Sequence, residues 1–138
     1  MSRHPQWDQR LTAFVADNMA RAHDYETGWD CLLGLCAGGV KAVTGKDYGK
    51  PHRGKYRSHA SAYRYLQSLG FDSPEAFLDS KFKKKPLGFA HRGDIVLASD
   101  GIPAICMGSF ALSVGQEGNR EGLCRVPRSD WVKAWAVE

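Results

Sequence analysis

An aspartate followed directly by a cysteine, Asp30-Cys31, opens an apolar run in this chain. Asp30 is a residue type that caps helices, and the apolar run predicts a buried helix with Cys31 in its first turn. The helix dipole and the free backbone N–H groups at such a position favour a thiolate. Cys31 is therefore the candidate nucleophile, with a small core residue as the alternative, and Asp30 is the residue that caps the helix and orients it.

A cysteine that attacks a carbonyl group needs a base within hydrogen-bond reach, and histidine is the usual one. The candidates are His23, His52, His59 and His91. We prefer His91, because it lies just before the Gly93-Asp94 turn and can approach Cys31 from a neighbouring strand edge. The alternative for each histidine is an ordinary surface or capping role. Asp94 is expected to cap or anchor its turn rather than to take part in the chemistry.

Apolar spacing and cap residues divide the chain into a helical first part and a β second part. The predicted helices cover residues 6–21, Asp30 to about Thr44, Ser58 to Leu69, and a short stretch from Ser73 that frays into Lys81–Lys85. Three glycines, Gly34, Gly38 and Gly39, weaken the second helix intrinsically and predict its close packing against another element, such as a sheet. The predicted strands cover residues 94–98, 104–107, 110–114 and 123–126, and Trp131 to Val137 form a short helix or a last strand.

This order of elements predicts an α+β fold in which the two parts pack on each other. The length of 138 residues suggests a single domain over residues 1–138, mainly helical over 1–85 and mainly β over 86–138.

Cysteine and histidine spacing argues against a metal site. The four cysteines form no Cys-x-x-Cys pair, and the histidines do not cluster at ligand spacing, so we expect free thiols and no metal or other cofactor. The N-terminus lacks the apolar core of a signal peptide, and no apolar stretch is long enough to span a membrane. We therefore expect synthesis in a cytoplasm, with transport by another route if the protein acts elsewhere.

The order of these motifs resembles that of the NlpC-type, papain-like peptidases, which cleave peptide stems of bacterial peptidoglycan. Asp30-Cys31 matches their Asp-Cys at a helix start, and Gly93 to Leu97 match their Gly-Asp-Leu-Val-type strand. The resemblance implies a papain-like fold with N-terminal helices on a small antiparallel sheet. It also implies that Tyr25 lines the substrate groove, and Trp29 is either a wall of that groove or part of the core.

The chain departs from the peptidase pattern at the base. The family places the catalytic histidine at the start of the strand after the Gly-Asp strand, which falls near Ile102 here, and no histidine follows His91. An active enzyme would therefore need a relocated histidine.

The chain is also similar to a small family of phage tail proteins of this length. The matching motifs are Trp7 to Leu11, Asp30-Cys31, Thr44 to Asp47, Arg53 to Ser58, Arg92 to Leu97, and Trp135, in that order. This resemblance implies a virion protein, made in the host cytoplasm, that associates with the hub, distal tail or tip proteins of a phage tail.

Three functions remain open. The first is a structural tail-tip protein with a catalytically degenerate papain-like fold. The second is an active peptidoglycan peptidase or amidase used during genome entry, with Cys31 as nucleophile. The third is a nucleic-acid or chaperone-type module, because residues 41–92 carry twelve basic and four acidic side chains interleaved with tyrosines. Tyr63 and Tyr65 cannot face the same way on a helix, which argues against nucleic acid as a partner.

Overall fold

The first part of the chain is helical in the computed structural model, which describes residues 2–115 and 122–138. Its α-helices are α1 (Trp7–Asn18), α2 (Ala37–Thr44), α3 (His59–Ser68) and α4 (Pro74–Lys81). A π-helical segment, Cys31–Cys36, runs directly into α2. Its wider turn is seen in the bond from the Leu35 N–H to the Asp30 carbonyl, which spans five residues.

Short-range caps explain where these helices begin and end. Asp30 accepts a hydrogen bond from the N–H of Leu33, Ser58 does the same for Ser61, and Ser73 does so for Ala76. Gly45 ends α2 in a left-handed conformation with φ of 86°, which glycine adopts at little cost. The helices predicted from the sequence are thus confirmed, with ends that differ by a few residues.

The second part forms one antiparallel sheet of six strands within the described residues, in the order β1-β6-β2-β3-β4-β5. The strands are β1 (Lys83–Lys85), β2 (Ile95–Ala98), β3 (Pro103–Cys106), β4 (Phe110–Val114), β5 (Leu123–Pro127) and β6 (Trp131–Ala136). Two 3₁₀ turns, Leu87–Phe89 and Arg128–Asp130, precede β2 and β6. The predicted α+β class is confirmed, and the closing segment is a strand rather than a helix.

One prediction about the junction is wrong. Lys83–Lys85 do not fray from α4 but form β1, the edge strand beside β6, with Lys83 opposite Ala136 and Lys85 opposite Ala134. Three lysines in a row show no alternation of apolar and polar residues, so the sequence does not predict a strand here. The strand forms because it pairs with β6, which is distant in sequence.

The central strands are buried on both faces, which explains why they read as unbroken apolar runs. Ile95, Leu97 and Ile105 belong to the main core shared with the helices. Val96 and Ala104 belong to a second cluster of mostly small side chains on the other face. The glycines predict close packing of the helical segment that follows Cys31. Gly39 in α2 meets the sheet, whereas Gly38 packs against Phe14 in α1 and Gly34 against Trp29. A Cβ atom on Gly39 would lie 2.4 Å from Cδ1 of Ile105 in β3.

None of the helices in the described ranges is long and apolar enough to cross a membrane.

Candidate functional site

A cavity of about 430 Å³ lies where the start of the Cys31 helix meets the sheet and α3. We call it the Cys31 cavity. Its walls come from the loop before the helix, the helix start, the face of α3, and the ends of β3 and β4. The lining residues are His23, Tyr25, Asp30, Cys31, Leu32, Tyr56, His59, Ala62, Tyr63, Leu66, Pro74, Gly101, Ile102, Pro103 and Val114.

The Cys31 thiol is a hydrogen-bond donor in this cavity. Its Sγ lies 3.6 Å from the carbonyl oxygen of Val114 in β4. The β3–β4 register pairs Ile105 with Leu112, and its continuation places Pro103 opposite Val114. Proline has no N–H, so it cannot donate to the Val114 carbonyl across the ladder. The thiol takes the place of that missing donor.

Burial and a neighbouring charge keep this thiol protonated. Burial raises the pKa of Cys31 to about 12, and the negative charge of Asp30 acts in the same direction. The hydrogen bond to Val114 also involves the protonated form of the sulfur as donor. The helix start, taken alone, favours a thiolate, but burial outweighs it here.

Asp30 is committed to the architecture of the helix start. The residue is 5 % exposed, and its Oδ1 accepts the Leu33 N–H at 2.7 Å. Its Oδ2 accepts the hydroxyl of Tyr56 at 2.6 Å. Burial, followed by the charge of Asp30, raises the pKa of Tyr56 far above its usual range, so this hydroxyl keeps its proton and remains a donor. Asp30 thus ties the loop that carries Tyr56 to the start of the cysteine helix.

Aromatic and imidazole rings form one corner of the Cys31 cavity. His23 and Tyr25 meet edge to face, with ring centroids 4.5 Å apart and planes at 87°. Tyr25 and Tyr56 meet at 5.7 Å and 69°. The Tyr25 hydroxyl lies 3.4 Å from Nδ1 of His59. Nδ1 of His23 is buried and has no hydrogen-bond partner among the described residues.

The preferred base, His91, is held elsewhere. Its ring lies 3.3 Å from a carboxylate oxygen of Asp94 and 3.2 Å from Nζ of Lys85, and its side chain is 60 % exposed. His91 is not among the described residues that line the Cys31 cavity. His52 is paired with the hydroxyl of Tyr65 at 2.6 Å. The histidines that do share the cavity with Cys31 are His23 and His59.

Asp94 anchors the turn before β2 and is 1 % exposed. Its Oδ1 accepts from Arg3 at 2.9 Å and from the N–H of Val137 at 3.1 Å. Its Oδ2 accepts from Lys85 at 2.7 Å and from the N–H of His91 at 3.0 Å. We call these five residues the Asp94 cluster.

Gly93 precedes Asp94 with φ of 95°, in the left-handed region that favours glycine. The guanidinium of Arg3 packs against it, 2.8 Å from where a Cβ atom would stand. Gly93 therefore serves the same turn as Asp94.

Trp29 is a core residue rather than a wall of the Cys31 cavity. It is 2 % exposed, packs edge to face against Phe14, and donates its indole N–H to the carbonyl of Arg21 at 3.3 Å. Tyr25 does line the cavity.

Sequence reasoning missed the contribution of Tyr56 and α3 to this site. Spacing within α3 contained a usable signal, because His59, Ala62, Tyr63 and Leu66 lie at i, i+3, i+4 and i+7 on one helix face. Tyr56 had no such signal, since it lies in a polar loop and reaches Asp30 only through the fold.

Two of the tyrosines that interleave with basic residues are packed inward. Tyr56 is 8 % exposed. Tyr48 donates its hydroxyl to the Leu32 carbonyl at 2.6 Å and contacts the rings of Phe77 and Phe82. Tyr56 faces the Cys31 cavity and Tyr48 packs on two phenylalanine rings, so neither offers an outer surface on which successive bases could stack, and the geometry does not favour a nucleic-acid interface.

No group of three or more potential metal-ligating side chains occurs among residues 2–115 and 122–138. The four cysteines, all within those ranges, are free thiols.

A family model described as "Domain of unknown function (DUF6950)" matches residues 2–137. No curated protein and no solved structure matches the chain. The family match therefore includes both the Cys31 cavity and the Asp94 cluster.

Proposed function

The chain belongs to the DUF6950 family, and we propose that this member is a phage tail-tip protein built on an NlpC-type, papain-like fold that has lost its peptidase chemistry. Its role is then structural, at the tail hub of the virion. The tail assignment rests on the ordered set of sequence motifs that extends from Trp7 to Trp135.

The layout of the Cys31 cavity supports the papain-like part of this proposal. A cysteine lies at the start of a helix that packs on an antiparallel sheet, and the β2–β3 hairpin follows later in the chain. The start of β3, where the peptidase pattern has its histidine, lines the cavity together with Cys31.

One observation carries the proposed loss of catalysis. The wall of the cavity at the start of β3 consists of Gly101, Ile102 and Pro103, none of which can accept a proton from a thiol. Pro103 also leaves the Val114 carbonyl free to hold the Cys31 thiol as a donor. The base is therefore missing from the place where the peptidase pattern has it, and burial keeps the nucleophile protonated.

The test compares release of soluble fragments from purified peptidoglycan by the wild type and by Cys31→Ala. We expect no release by either protein at high concentration. Release by the wild type that is lost in Cys31→Ala would overturn the proposed loss of catalysis.

Mass spectrometry of purified virions tests the tail role, because a structural subunit should be present in a constant ratio to the hub protein.

A second candidate is the active cysteine peptidase, and one observation favours it. His23 and His59 line the same cavity as Cys31, and His59 is oriented through Nδ1 by the Tyr25 hydroxyl. A histidine oriented by a third group is the arrangement that activates a cysteine nucleophile. If the peptidoglycan assay detects release, His23→Gln and His59→Gln then identify which ring acts as the base.

A further inference from the structure

The rings around the Cys31 cavity form a right-angled corner rather than a flat stack. His23, Tyr25 and Tyr56 follow one another at interplanar angles of 87° and 69°, with centroids 4.5 Å and 5.7 Å apart. Tyr63 and His59 add a further ring pair at 4.9 Å on the α3 side. All five of these residues line the cavity, and the face of an aromatic ring carries partial negative charge.

The charge of the cavity has the same sign. Asp30 contributes a carboxylate to the lining, and no lysine or arginine lines the cavity within residues 2–115 and 122–138. This contrasts with the chain as a whole, which has a net charge of +4. The negative charge of Asp30 acts on other groups that line the cavity, since it helps to raise the pKa of both Cys31 and Tyr56.

We propose that the Cys31 cavity is a binding site for an alkylammonium group, held by the ring corner of His23, Tyr25 and Tyr56 and by the carboxylate of Asp30. The inference rests on the proposed loss of peptidase chemistry, because a cavity that lacks the histidine at the start of β3 can be retained for binding alone. Its volume of about 430 Å³ accommodates an ammonium head together with several carbon atoms. The apolar walls from α3 and β3 then cover the alkyl part of the ligand.

The test is a titration of the intact wild-type protein, followed by NMR or calorimetry, with choline and with its uncharged isostere 3,3-dimethyl-1-butanol. We expect choline to bind at least about tenfold more tightly, because cation–π attraction and the carboxylate act only on the charged ligand. Equal affinity for the two ligands, or no binding of choline, would overturn the proposal. Sodium chloride at matched ionic strength controls for general salt effects.

A third ligand, n-butylammonium, separates a quaternary from a primary ammonium group. The order of affinity between choline and n-butylammonium then identifies the kind of head group that the cavity prefers. Bound choline should also slow alkylation of Cys31 by iodoacetamide while leaving that of Cys124 unchanged. Equal alkylation rates with and without bound choline would place the binding elsewhere and overturn the proposal.

Matched variants locate the binding site even if one of the variant proteins fails to fold. Tyr25→Leu should weaken choline binding about tenfold, whereas Tyr25→Phe, which keeps the ring, should bind as the wild type does. Asp30→Asn keeps a good helix cap and should weaken binding of choline but not of its isostere. Unchanged choline affinity in both Tyr25→Leu and Asp30→Asn would contradict the site.

These outcomes are separable from the proposed function. Peptidoglycan release by the wild type would remove the proposed loss of catalysis while leaving the ligand titration to decide the ammonium site. Failure of the titration would remove the ammonium site while leaving the tail role to virion analysis.

Discussion

At the scale of single residues, Cys31 is the point where two opposite effects meet. Its place in the first turn of a helix favours the thiolate, whereas burial and the charge of Asp30 favour the thiol. The second pair of effects is the larger, and the carbonyl of Val114 gives the retained proton a partner. A cysteine at a helix start is therefore reactive only if its surroundings also provide solvent or a positive charge.

The raised pKa of Cys31 predicts slow alkylation. At neutral pH the rate with iodoacetamide should lie roughly a thousandfold below that of free cysteine, because a pKa of about 12 leaves so little thiolate. The rate should keep rising between about pH 6 and pH 10 without levelling off. Mass spectrometry of tryptic peptides measures each cysteine separately, with the half-buried Cys124 as the internal reference. A rate at Cys31 that reaches a plateau below pH 9 would contradict the prediction.

A histidine at the start of β3 should reverse the ionisation of Cys31. Ile102 lines the cavity with the thiol, so Ile102→His places an imidazole where the peptidase pattern has one. An imidazolium beside the sulfur stabilises the thiolate, so the pKa of Cys31 should fall and alkylation at neutral pH should rise at least about tenfold. Ile102→Gln is the matched control, since it is polar but does not titrate. Equal rates in the two variants would show that residue 102 does not face the thiol.

At the scale of helices and strands, the sequence predicts best what is decided within a few residues. Ser58 and Ser73 each cap a helix through a residue three positions on, so both helix starts could be predicted. The edge strand Lys83–Lys85 could not, because its pairing with β6 depends on residues about fifty positions away. The π-helical turn at Cys31 likewise has no marker in the residue types.

The candidate site was predictable only in part, for the same reason. Cys31 and Asp30 are neighbours in sequence, and the cap that joins them to the helix is local. Which histidine shares the cavity depends on how α3 and the loop before the helix pack. His91 is instead held by Asp94, three positions later, which spacing alone did not distinguish from an approach to Cys31.

The contact between the sheet and α2, the helix that continues from the Cys31 segment, can be tested at Gly39. Gly39→Ala should destabilise the protein by about 1–3 kcal/mol, although alanine is the better helix former, because the new Cβ would lie 2.4 Å from Cδ1 of Ile105. Urea denaturation measures the change in the free energy of unfolding.

Ile105→Val supplies the control for Gly39, since it removes the atom that clashes. Alone it should cost about 0.5–1.5 kcal/mol, but combined with Gly39→Ala it should restore part of the lost stability. Additive losses in the double variant would show that the helix does not press on β3 at this point.

At the scale of the whole molecule, the two ends of the chain meet at one buried carboxylate. Arg3 near the N-terminus bonds to Asp94 and to the carbonyl of Val137, and the Val137 N–H bonds to Asp94 as well. Lys85 brings the edge strand β1 to the same group. The Asp94 cluster thus joins the N-terminal segment, the edge of the sheet and the last strand, at a place separate from the Cys31 cavity.

The two edges of the sheet are protected in different ways. β1 carries three lysines, of which Lys83 and Lys84 are exposed. β5 is covered at one end, where the Leu123 N–H donates to the Met19 carbonyl, and ends in Pro127, which has no N–H. Charged and proline-bearing edges disfavour pairing with the strand of another molecule. A tail assembly that contains this protein should therefore contact it through its other surfaces.

The Asp94 cluster predicts a large difference between two chemically identical substitutions. Asp94→Asn keeps the shape of the side chain but leaves Arg3 and Lys85, which are only 12 % and 17 % exposed, without their counter-charge. Loss of one partner from a buried ion pair costs about 3 kcal/mol or more, so the urea midpoint should fall clearly. Asp8→Asn removes the partner of Arg92 in an exposed pair and should cost less than about 1 kcal/mol.

If both variants unfold at the same urea concentration, the Asp94 cluster does not hold the chain ends together. If only Asp94→Asn unfolds early while the pH profile of Cys31 alkylation stays unchanged in native conditions, the cluster stabilises the fold without tuning the cavity.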